Sequence, residues 1–182
     1  MKKTLLILTA LGSLSVASSV FAAPENVGTI RFIGSITDTT CDFTGEQGGA
    51  QSNVINLGTH TAAVVNGPTG SPVVEFSLVG TKPDGSACEI GSAGKSVDVS
   101  WVPASGSWTA SGLQSSGTAA NTVVKLMDKN SKAFNALYET VNYVEADAPN
   151  GKLPFKANIM NTGTAATPGT VISAAKFAVA YK

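Results

Sequence analysis

Gly169-Thr-Val-Ile-Ser-Ala-Ala-Lys-Phe-Ala-Val-Ala-Tyr-Lys182 is the stretch on which the fold turns. Val171, Ala175, Phe177, Val179 and Tyr181 share one parity while Lys176 falls on the other, so a pleated strand would separate a dry face from a wet one. An apolar strand at the end of a chain must find a neighbour, and exposed apolar edges recruit other chains. The segment therefore reads as an edge made for recruitment.

The opposite end says where this happens. Met1-Lys2-Lys3 is a short positive region, Leu5 to Val20 is mainly apolar, and Val20-Phe21-Ala22 offers compact residues for a signal peptidase. Thr9, Gly12, Ser13, Ser15, Ser18 and Ser19 interrupt the apolar part, which is too short and broken for a membrane anchor. Residues 1–22 are thus expected to be a cleaved secretory signal, leaving 160 residues from Ala23, one domain's worth. Loss of Lys2 and Lys3 leaves ten basic against twelve acidic side chains. With a net charge near −2 and no basic run, the mature chain has no positive field for a nucleic-acid partner.

Two cysteines in an exported chain, Cys41 and Cys88, read as a disulfide. A metal or redox role would want closer cysteine spacing or several histidines, and the sole histidine is His60. Between them and beyond, the strand signals are short and period-two. Val54–Leu57 is a compact apolar run; Val74, Phe76 and Leu78 alternate with polar neighbours, as do Val97, Val99 and Trp101. Val123–Met127, Val141–Val144 and Phe155–Ile159 follow in the same style. Turn clusters lie at Gly45–Gly49, Asn66–Pro68, Pro83–Gly85, Gly91–Gly94, Pro103–Gly106, Asn150–Gly151 and Thr162–Gly169. Residues 130–139 suit one or two helical turns, and 110–121 is by composition a polar, flexible loop. Six or seven short strands with frequent turns imply an all-β, immunoglobulin-like sandwich.

A second amphipathic strand follows the signal. In Gly28-Thr-Ile-Arg-Phe-Ile-Gly-Ser-Ile-Thr37, Ile30, Phe32 and Ile36 share a parity with Gly34 between them, and Arg31, Ser35 and Thr37 lie opposite. The chain therefore presents apolar strands at both ends. In this it resembles the structural pilins of the chaperone-usher family, similar to type 1 fimbrial major subunits. Gly169 and Tyr181 stand at the family's positions fourteenth from the end and next to last, and Gly28-Thr-Ile-Arg-Phe-Ile-Gly34 matches its G-x-[VI]-x-F-x-G run before the first cysteine.

The resemblance implies an incomplete immunoglobulin-like sandwich lacking its seventh strand, with a groove beside the C-terminal strand. A periplasmic chaperone fills that groove first; at the outer-membrane usher the N-terminal extension of the next subunit replaces it, a form of β-strand addition. Carried onto this chain, residues 23–37 form the donor extension and 38–182 the pilin domain. Ile30, Phe32 and Ile36 would insert into a neighbour, with Gly34 lying close to its groove. The receiving edge would be Gly169, Val171, Ala175, Phe177, Val179 and Tyr181, and the carboxylate of Lys182 would be held by the chaperone. The implied product is a head-to-tail fimbria exported through the periplasm to the cell surface, with no cofactor or metal, supporting cell adhesion.

An enzyme is excluded by the lack of a constellation: His60 sits in Gly58-Thr-His-Thr61 as a solvated turn residue, and no Gly-x-Ser-x-Gly elbow occurs. An exported carbohydrate-binding sandwich is the rival, resting on Trp101 and Trp108, but Trp101 has the core parity of Val97 and Val99. A minor adaptor pilin would share every motif named.

Overall fold

The computed structural model describes residues 41–90, 94 and 96–182. The signal, the donor segment with Ile30, Phe32, Gly34 and Ile36, residues 38–40, most of the turn expected at Gly91–Gly94, and Lys95 lie outside the described residues. Among the described residues nine strands occur: β1 Asp42–Gln47, β2 Ala50–Gln51, β3 Val74–Thr81, β4 Val97–Pro103, β5 Leu113–Gln114, β6 Thr122–Met127, β7 Thr140–Tyr143, β8 Lys152–Asn161 and β9 Ala175–Tyr181. They form two antiparallel sheets, ordered β2-β1-β3-β8-β6-β5 and β7-β4-β9. This is the two-layer, all-β architecture that alternation predicts.

The alternation is visible in burial. In β4, Val97, Val99 and Trp101 are buried while Asp98, Ser100 and Val102 are not. β3 repeats the pattern with Phe76 and Leu78, and β8 with Leu153, Phe155 and Ala157. Phe155 sits at the centre of the core, within 5.2–6.2 Å (ring centroids) of Phe76, Trp101, Phe134 and Tyr143. Tyr143, fully buried on β7, donates its hydroxyl to the Pro154 carbonyl of the facing sheet at 2.6 Å. A disulfide joins Cys41 to Cys88, with Cα atoms 6.3 Å apart, tying the start of β1 to the chain beyond β3.

Several expectations fail. The Gly45–Gly49 cluster is not all turn, because β1 runs through Gly45. A Cβ there would stand 2.5 Å from the Ser52 carbonyl oxygen, so this glycine serves close approach, and the turn itself is confined to Gly48-Gly49. Val54–Leu57 belongs to no strand.

Residues 130–139 are not helical. The buried Asp128 carboxylate accepts the amides of Asn130 and Lys132, both at 2.8 Å, and the Tyr138 hydroxyl at 2.7 Å, holding a turn in place of helical bonds. Residues 110–121 carry β5 and the buried Leu113, and are bonded to the C-terminal segment rather than free. Among the described residues one short α-helix escapes the sequence signals, α1 at Ala62–Val65, with Thr61 as its N-cap.

Candidate functional site: a groove beside the last strand

Among the described residues β9 pairs with β4 alone and leaves its other side open. Phe177 stands opposite Trp101, Val179 opposite Val99 and Tyr181 opposite Val97, so the odd residues of β9 share the core face of β4. All three are only half-buried, whereas their β4 partners are buried. Phe177 packs its ring 5.4 Å from that of Trp101. Lys176, of opposite parity, is exposed.

The strand is shorter than its alternation suggests. Gly169–Ala174 form no ladder, and instead run beside residues 115–119. Ser116 donates its amide to the Ile172 carbonyl at 2.8 Å and Ala119 to that of Thr170 at 3.0 Å. The Thr118 and Thr170 side chains each accept the other's main-chain amide, at 2.9 and 3.0 Å. Two glycines permit this approach. A Cβ on Gly117 would stand 2.0 Å from the Thr170 oxygen, and one on Gly169 would stand 2.4 Å from the Ala119 nitrogen. Gly169 also has φ +156°, in the region that side chains disfavour.

This braced segment is one wall of an open groove. Near Ala175 the groove holds about 510 Å³, floored by Phe76, Leu78, Trp101, Leu126 and Ala157, with Ile55 and Leu57 on the far wall. It continues into a wider section of about 900 Å³ between residues 54–65 and 166–172, where Val171 packs with Val65, Ile159 and Ala166. Val54, 75% exposed, and Ile172, 58% exposed, line both sections. Reciprocal bonds fix the far end: Asn66 donates Nδ2 to the Ala166 carbonyl at 3.2 Å and accepts the Ala166 amide at 2.7 Å. His60 lines the wider section with its Nε2 2.8 Å from the Leu57 carbonyl oxygen, half-buried rather than solvated.

Charge gathers at the end of β9, away from the groove floor. Lys182 exchanges both main-chain bonds with Ser96, and its ammonium pairs with Asp98. Burial opposes ionisation of Asp98, but the bonds from Lys182 and Asn142 outweigh it and hold the carboxyl below its ordinary value. Burial raises the Tyr181 hydroxyl, which has no partner among the described residues. The structure sets Val171 and Ala175 in the groove lining, Phe177, Val179 and Tyr181 further along β9 opposite Trp101, Val99 and Val97, and Lys182 beyond the strand. Trp108, left open by the sequence, is half-buried and donates Nε1 to Glu139 at 3.0 Å. Among the described residues no three His, Cys, Asp or Glu side chains group as metal ligands.

No family model matches the chain. The fold is similar to the crystal structure of the P pilus rod subunit PapA, with a TM-score of 0.57 at 16% identity, covering 86% of this chain and all of that one. The chain is 28% identical over 186 residues to the type-1 fimbrial protein A chain of Escherichia coli strain K12, covering 98% of this chain and 96% of that protein. It is 30% identical over 166 residues to the F107 fimbrial protein of Escherichia coli, covering 88% of this chain and 90% of that protein. On that likeness, and with the pilin sandwich in place, the chain belongs to the family of chaperone-usher fimbrial pilins.

Proposed function

We propose that this chain is a structural, non-enzymatic subunit of a bacterial surface fimbria, whose groove beside β9 receives the leading segment of a second copy. The observation that carries the reading is the open edge of β9, whose first residue, Ala175, lines a groove floored by Phe76, Leu78 and Trp101. An edge of that kind binds an added strand by main-chain bonds, while alternate side chains fill the groove.

Ile30, Phe32 and Ile36 of the incoming copy supply those side chains, and each contributes roughly 1.5–3 kcal/mol on burial, offset in part by the cost of association. Before assembly a periplasmic chaperone occupies the same edge, and the outer-membrane usher is where the exchange occurs. Because donor and acceptor are different surfaces of one chain, the contact is heterologous and propagates as an open filament.

The test is thermal unfolding of the mature chain, residues 23–182, refolded alone, with a peptide of residues 26–36, and with that peptide carrying Phe32→Asp. The native peptide is expected to raise the melting temperature strongly and the charged version hardly at all. Equal melting in all three samples would mean a sandwich already complete.

A further inference from the structure

The floor of the groove holds one polar group without a partner. Trp101 is 6% exposed, and its indole Nε1 is buried with no hydrogen bond among the described residues. Its ring neighbours Phe155, Phe177 and Phe76, at centroid distances of 5.2, 5.4 and 6.4 Å, offer only π faces, which are weak acceptors, and C–H edges, which accept nothing. Buried indole N–H groups normally find an oxygen, as Trp108 does in Glu139. Trp101 lines the 510 Å³ section, so whatever enters the groove packs against it.

We propose, resting on the assembly reading above, that Trp101 is a specificity-determining residue of the groove: its indole N–H donates to a main-chain carbonyl at Gly34 of the second copy's leading strand. Between Ile30 and Ile36, Gly34 is the one groove-facing position that puts no side chain between the strand and the floor. A strand completing this sandwich runs antiparallel to β9. With Gly34 beside Phe177, the residue opposite Trp101, Phe32 falls beside Val179 and Ile30 beside Tyr181. Ile36 then falls beside Ala175, whose small side chain borders the open cavity. A strand with a bulky residue at position 34 both collides with the indole and leaves its N–H unsatisfied, so the hydrogen bond and the shape select the same register.

The experiment is nitrogen-15 indole NMR of the refolded mature chain with and without the peptide of residues 26–36. A second sample has the Trp101 indole replaced by benzothiophene, which keeps the shape and removes the N–H. The Trp101 N–H resonance is expected to move downfield and exchange more slowly on adding peptide, while that of Trp108 stays in place. The benzothiophene protein should bind the peptide about tenfold more weakly, the size of one ordinary hydrogen bond. Peptide binding with an unmoved Trp101 resonance and unchanged affinity in the benzothiophene protein would overturn the assignment and leave the groove reading standing. Failure of the peptide to bind the unmodified chain would overturn both.

Discussion

Gly169→Ala tests whether the groove wall depends on two backbones touching. The added methyl would lie 2.4 Å from the Ala119 nitrogen and 2.7 Å from its Cα, both main-chain atoms that cannot rotate away. Reaching ordinary contact demands a separation of roughly 1 Å, which takes the 3.0 Å bond from Ala119 to Thr170 beyond hydrogen-bonding range. Overpacking of this kind costs about 1–3 kcal/mol, and a side chain at φ +156° adds on the order of 1 kcal/mol. The sum, about 2–4 kcal/mol, corresponds to roughly 5–12 °C in a chain of this size.

Urea unfolding of the mature chain with donor peptide reads the stability, and electron microscopy of cells reads the filaments, which should be lost or sparse. Gly163→Ala is the control, since that glycine has φ +94° but nothing within 4 Å of a Cβ. Gly117→Ala strikes the same contact from the other side, so the double variant should cost less than the sum of the two singles. If Gly169→Ala unfolds like Gly163→Ala, or within about 0.5 kcal/mol of the unchanged protein, the close approach is not what holds this wall.

Two further outcomes are expected. Replacing Cys41 and Cys88 by serine opens a loop with a sequence separation of 47, which the chain-entropy model values at about 4 kcal/mol; an unchanged urea midpoint would show that the bond constrains nothing the fold does not already hold. Burial, and then the Asp128 carboxylate, push the Tyr138 hydroxyl from 10.0 up to about 12, and Tyr143 and Tyr181 are also raised. These phenols stay protonated in the folded state while the unfolded chain ionises near 10, so the stability they contribute is complete below pH 10 and falls as pH rises toward 12. Absorbance at 295 nm should show no tyrosinate near pH 10 until unfolding, and Asp128→Asn should bring Tyr138 part of the way back; a normal titration at pH 10 in the folded protein would contradict the burial.

Half-buried strands were legible because one dry face leaves a period-two trace, as in Val97, Val99 and Trp101. The C-terminal border was legible for the same reason. The first residues of that border were not, because Gly169–Ala174 bond to residues 115–119 through threonine and serine side chains that mimic no ladder. Val54–Leu57 is apolar without being a strand, since its apolar side chains line the groove rather than a paired sheet. The far end is fixed by Asn66 and Ala166, 100 residues apart, a pairing with no local trace. The helix expected at 130–139 is displaced by one buried carboxylate at Asp128, whose preference for turn amides outweighs ordinary helix formers nearby.

Directional assembly follows from how unequally the sheet edges are guarded. The larger sheet ends in β2 and β5, each two residues long, which pair only with Glu46–Gln47 of β1 and Val123–Val124 of β6. The smaller sheet ends at one side in β7, four residues long, where the Lys129 ammonium bonds the Asn142 carbonyl and pairs with Asp147. A charged side chain laid over an edge carbonyl is an obstacle to a new strand. β9 has seven residues and, among the described residues, no such guard. It also lies where the layers are unequal, since the long strands β1, β3, β8 and β6 face only three. At about 4.8 Å per strand the shortfall is one strand wide, and Phe76, Leu78, Leu126 and Ala157 of the larger sheet line the gap. Because the braces at Gly117–Gly169 and Asn66–Ala166 hold the walls in place, the gap is preformed and an incoming strand need not order it. On the proposed assembly, the β9 edge beside this preformed gap would accept a single partner in a single direction, which is the condition for a filament rather than an aggregate.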